Sequence, residues 1–92
     1  MKKIEKIEKI KEVVATAGYT ITDTAIKKLL ENHWNYNYKC GLMVDVEKKE
    51  IYFGDGLFRG NWLQSRCGDK FLGSYRGWKE FVEDFREDMY YL

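Results

Sequence analysis

The spacing of apolar residues changes period twice along this chain, and that alternation constrains the fold more than any single motif. Ile4, Ile7, Ile10, Val13, Val14 and Ala17 recur at mostly three-residue steps over 2–17, and Ile26, Leu29, Leu30, His33 and Trp34 continue at helical spacing over about 23–34. Leu42, Val44 and Val46 then alternate with Met43, Asp45 and Glu47, before Trp78, Phe81, Val82, Phe85 and Met89 return to helical spacing. A repeat near 3.6 places side chains on one helix face, whereas a repeat of two places them on one face of a strand. The pattern predicts an α+β fold: an N-terminal helical hairpin and a C-terminal amphipathic helix packed on a small antiparallel β-sheet of two to four strands. At 92 residues the chain has room for one domain, 1–92.

Local signals place the joints. Gly18 follows the first stripe as a left-handed stop, Thr22 can cap the next helix, and Ile21 and Ile26 stand where a hydrophobic staple would. The short polar segment 47–50 favours a hairpin between strands at 42–46 and 51–53, closed off by Gly54, Gly56 and Gly60. Glycines also divide 60–77, where two short strands are expected, 62–66 and 70–74, with a short helix over 61–66 as the alternative to the first. The expected core is Ile7, Val14, Ile26, Leu30, Trp34, Leu42, Val44, Phe53, Trp62, Phe81, Val82 and Phe85.

Several chemistries are disfavoured. Cys40 and Cys67 are the two cysteines, 27 positions apart, and His33 is the single histidine, lying on an apolar stripe. Such spacing does not suit a structural zinc site, so no metal or cofactor is expected, and the thiols read as two small buried hydrophobes. Gly54-Asp55-Gly56 is followed by no Gly-Lys-Ser/Thr and is not a phosphate loop. No serine or cysteine has the context of a nucleophile, so the chain is not expected to be an enzyme. No apolar run reaches the ~18 residues of a membrane span, and the lysine-rich start lacks the apolar stretch of a signal peptide, which together point to a cytoplasmic protein with reduced thiols.

Charge is segregated although the formal net charge is +1. Residues 59–79 hold Arg59, Arg66, Lys70, Arg76 and Lys79 against Asp69 alone, interleaved with Trp62, Phe71, Tyr75 and Trp78. Cations beside exposed aromatics are what single-stranded nucleic-acid surfaces use for phosphate contact and base stacking. The terminal helix carries Glu80, Glu83, Asp84, Glu87 and Asp88 opposite its apolar stripe, with Trp78 and Tyr90 as candidate apolar anchors. Carboxylates three and four residues apart on a helix stand ~5 to 6 Å from one another, a spacing loosely like successive phosphates of one DNA strand.

Two resemblances follow from these residues. Val13 to Leu30, with Gly18, Tyr19, Ile21, Thr22, Ile26 and Leu29, resembles the helix, turn and capped recognition helix of winged-helix DNA readers, with 40–53 as the wing; Ile26 lies eight positions after Gly18, where the commoner pattern has six. Thr24, Lys27, Lys28 and Asn32 would then face DNA. In size and charge layout the chain also resembles the inhibitors that phages and mobile elements produce against host nucleases, anti-CRISPR proteins among them. That likeness implies a non-catalytic protein that docks on a larger, nucleic-acid-binding partner through Glu80, Glu83, Asp84, Glu87 and Asp88, as a monomer or homodimer. The alternative is a nucleic-acid-binding module using Arg59, Trp62, Arg66, Lys70, Tyr75, Arg76 and Lys79, or a degenerate winged helix-turn-helix.

Overall fold

The computed structural model describes residues 2–31, 40–54 and 70–92. Among them run helix α1 (Lys3–Thr16), strand β1 (Thr20–Ile21), helix α2 (Asp23–Leu30), strands β2 (Cys40–Asp45), β3 (Glu50–Phe53) and β4 (Lys70–Tyr75), and helix α3 (Trp78–Tyr90). The four strands form one sheet in the order β1-β3-β2-β4, so the α+β class with helices at both ends holds.

The first joint is built as its glycine demands. Gly18 has φ +80°, and its N–H bonds the Ala15 carbonyl at 2.9 Å while the Tyr19 N–H reaches back to Val14 at 3.2 Å. This pair of bonds is a Schellman stop, which satisfies two carbonyls that the helix end would otherwise orphan. Thr22 then caps α2, its hydroxyl accepting the Ala25 N–H at 3.3 Å, and Ile21 and Ile26 both join the core. Glu31 leaves the helix with ψ 103°, so α2 stops short of the expected end at Trp34.

Between the two joints lies a strand that the turn chemistry hid. Thr20 and Ile21 pair in parallel with Glu50 and Ile51, through Thr20 N–H to the Lys49 carbonyl at 2.9 Å and Thr22 N–H to the Ile51 carbonyl at 3.0 Å. The antiparallel sheet β3-β2-β4 thereby becomes mixed.

The hairpin is offset by one residue from its expected position. Val46 lies in the turn and is 45% exposed, and Glu50 is the first residue of β3. The turn ends on Lys49 at φ 53°, a left-handed conformation rare for a side-chain-bearing residue. Lys49 also sets its ammonium 5.2 Å from the centroid of the Tyr19 ring. Because β2 is central rather than peripheral, Met43 and Asp45 are buried along with Leu42 and Val44, where a half-buried strand was expected.

Ile10 and Val14 of α1, Ala25, Ile26 and Leu29 of α2, Leu42, Val44, Ile51, Leu72 and Tyr75 of the sheet, and Phe81 and Phe85 of α3 form one core cluster. Ile7, Leu30, Phe53 and Val82 pack at its margin, whereas Trp34 and Trp62 lie outside the described residues. Ile4 is 63% exposed because a three-residue repeat drifts around the helix and carries the first turn off the core. Tyr75 meets Phe81 edge to face at 5.1 Å, and Phe81 meets Phe85 at 5.2 Å, contacts worth roughly 0.5 to 1.5 kcal/mol each beyond burial.

Candidate functional site

Phe81 and Phe85 are one turn apart and fully buried, which fixes how α3 is rotated about its axis. Residues 83 and 87 then point away from the core, and residues 80, 84 and 88 form a row along one flank. The five carboxylates thus divide into two groups.

The flank row meets β4. Tyr75 donates its hydroxyl to Oδ2 of Asp88, and Glu80 accepts the Arg76 backbone N–H at 2.9 Å. Glu80 reaches back over the helix start in the manner of a capping box, at an end where Gly77 supplies no side-chain cap. Burial, reinforced by the Asp88 bond and the charges of Asp88, Asp84 and Glu80, pushes the Tyr75 phenol well above its ordinary value. Glu80 and Asp88 are therefore structural carboxylates, the first closing the turn at the start of α3 and the second joining the helix to β4.

Glu83, Asp84 and Glu87 are exposed and have no ion-pair partner among the described residues. Tyr90, one turn beyond Glu87, is 82% exposed, and its ring stands edge to face with the 76% exposed Tyr91 at 5.2 Å. Trp78, the other expected anchor, is half-buried against the core with Lys6 Nζ 6.0 Å from its ring centroid. An unpaired carboxylate pair on the outer face, Asp84 at its flank and an exposed phenol at its end are what α3 presents, with Lys79 and Arg86 also exposed on the helix.

The basic set fares unevenly. Lys70, Arg76 and Lys79 are exposed and unpaired among the described residues, so the carboxylates of α3 do not neutralise them. Arg59, Trp62 and Arg66 lie outside the described residues. Tyr75 is 2% exposed and cannot stack a base: its ring lies over Gly73 and its hydroxyl is held by Asp88. In the winged-helix comparison, β2 and β3 are the central strands of the sheet rather than a projecting wing. Among the described residues no three His, Cys, Asp or Glu side chains are grouped to hold a metal ion, and no helix is long and apolar enough to cross a membrane.

The Tyr75 to Asp88 bond was missed by sequence reasoning, because thirteen positions separate the two residues and only the chain reversal at Arg76 and Gly77 brings them together. No protein-family model, curated protein or solved structure matches this chain.

Proposed function

We propose that the protein is a non-catalytic binding protein that acts in the cytoplasm by occupying the nucleic-acid-binding surface of a larger protein, as a phage-type or mobile-element inhibitor of a host nuclease would. The observation that carries this reading is the exposure of Glu83, Asp84 and Glu87, without ion-pair partners among the described residues, on a helix anchored by Phe81 and Phe85. Carboxylates held on a rigid element meet a basic groove without first having to be ordered, so less conformational entropy is lost on docking. Tyr90 would supply an apolar anchor beside them, and the charge pattern would speed encounter and select a cationic partner.

The test compares the wild-type chain with a Glu83→Gln, Asp84→Asn, Glu87→Gln triple variant, each immobilised and exposed to host lysate. Wild type should retain a nucleic-acid-binding protein that duplex DNA releases, while the folded variant should not. Equal retention by the folded variant, or retention that DNA does not disturb, overturns the reading.

A further inference from the structure

The opposite charge gathers where α1 and α3 begin. Lys6 Nζ stands 6.0 Å from the Trp78 ring centroid, so the first turns of the two helices meet although 72 positions separate these residues. Lys3 lies three residues before Lys6 on the same side of α1, and Lys2 precedes it as the extended N-cap residue. At the other helix Arg76 stands in the turn just before α3, and Lys79 follows Trp78 in its first turn.

Lys2, Lys3, Arg76 and Lys79 are exposed, Lys6 is half-buried, and none of the five has an ion-pair partner among the described residues. Neither N-cap residue, Lys2 or Gly77, supplies a side-chain cap, and each first turn carries one acid, Glu5 in α1 and Glu80 in α3. The nearest carboxylates in the chain form no ion pair with these cations among the described residues. Glu80 is engaged by the Arg76 N–H, Glu5 projects from another side of α1, and Glu83 lies one turn beyond Lys79 on the outer face of α3. Lys70 opens β4, about 20 Å of extended chain from Arg76, and is not part of the rim.

We propose that this rim, Lys2, Lys3 and Lys6 of α1 with Arg76 and Lys79 beside Trp78, is a second interaction surface that takes the phosphate backbone of a nucleic acid. Five cations at the starts of two packed helices offer more charge than one phosphate can meet, which suits a polymer better than a small anion. Contact of this kind is independent of sequence and releases condensed counterions. An anionic lipid surface is the other partner the charge would admit. The rim offers it little to insert, however, because Trp78 is half-buried and Ile4 projects from a different side of α1. The inference stands apart from the docking of Glu83 and Glu87, since it uses neither those residues nor a protein partner.

The experiment titrates the full chain into a fluorescein-labelled 20-nucleotide single strand and a 20-base-pair duplex, following anisotropy over a salt series. If all five cations reach phosphates, log K should fall against log salt with a slope of about −4.5 on the duplex and about −3.5 on the single strand. A folded Lys6→Gln, Lys79→Gln variant should flatten the duplex slope by about 1.8, whereas a Lys11→Gln, Lys48→Gln control should leave it unchanged. Phosphatidylserine vesicles form the second arm. Absence of nucleic-acid binding, a slope that the Lys6 and Lys79 substitutions do not alter, or capture by vesicles alone overturns the assignment. The Glu83→Gln, Asp84→Asn, Glu87→Gln variant should bind nucleic acid at least as well as wild type, so failure here is separable from failure of the docking surface.

Discussion

Tyr75, at the end of β4, and Asp88, in the last turns of α3, close the corner between sheet and helix with a single hydroxyl-to-carboxylate bond. The bond lies at the core's edge, with the ring buried against Phe81 and the carboxylate half-exposed. Removing the hydroxyl alone, Tyr75→Phe, keeps the ring and should lower stability by about 1 to 2 kcal/mol, as for a hydrogen bond to a charged group that water partly replaces. Urea denaturation measures it, and a loss below ~0.3 kcal/mol would mean that water fully substitutes for the phenol.

The same phenol gives the fold an alkaline limit. Its pKa is raised above the ordinary 10.0 by burial first and by Asp88 second, so the folded state holds a proton that the unfolded state releases. Its contribution is complete below pH 10 and is lost as pH rises above that value toward the folded pKa. Stability should therefore decline with pH above about 10, more steeply in wild type than in Tyr75→Phe. Identical slopes in the two proteins would show that another group sets the limit.

Gly73 is required by the same ring. A Cβ at this position would lie 2.9 Å from the Tyr75 hydroxyl oxygen and 3.1 Å from Cζ, and the ring cannot swing aside without leaving Asp88. Gly73→Ala should cost about 1 to 3 kcal/mol despite alanine's lower backbone entropy. In a Tyr75→Phe background the closest of these contacts is gone, and the penalty should shrink. Additive effects of the two substitutions would contradict this account.

At Lys49 the usual order of alanine and glycine should invert. With φ 53° the residue is in the left-handed region, where a Cβ costs roughly 1 to 2 kcal/mol. Lys49→Gly and Lys49→Ala both lose the contact with Tyr19, so their difference isolates the backbone. Thermal melts should find the glycine variant more stable by about 1 kcal/mol, and parity would mean that the turn relaxes.

The carboxylates of α3 should separate by role. Asp88→Asn weakens the bond from Tyr75 and should lower stability by about 1 kcal/mol. Glu83→Gln with Glu87→Gln removes like charge one turn apart and an anion near a helix C-terminus, leaving stability unchanged or raised by about 0.5 kcal/mol. A destabilised Glu83, Glu87 double variant would show that these side chains have structural work of their own.

The sequence was most legible where a signal is local. The stripe of α1 from Ile7 to Val14, its stop at Gly18 and the cap at Thr22 each depend on residues within a few positions and stand as read, while Ile4 and Ala17 at the ends of the stripe are exposed. β1 was not legible, since Thr20 and Ile21 become a strand only through carbonyls of Lys49 and Ile51, some thirty positions away. Val46 was assigned to the strand because alternation continued past the last paired residue into the turn. The burial of Met43 follows from strand order, which pairs it with both Tyr52 and Phe71, and alternation carries no information about that order. On α3, helical spacing located the acidic residues but could not tell those bonded to β4 from those left outward. That division depends on where the chain reverses before Trp78.

The contact between α1 and α3 has a consequence for how the chain matures. Helices α1 and α3 share one core, with Ile10 and Val14 on one side and Phe81 and Phe85 on the other, so during synthesis α1 waits for α3. Until about residue 85 has cleared the ribosomal tunnel, Ile10 and Val14 have no aromatic floor, and the nascent N-terminal half remains an uncommitted intermediate open to chaperones and proteases. Folding of this chain in that sense depends on a distant partner, since the core that α1 begins is completed only by the aromatic pair of α3.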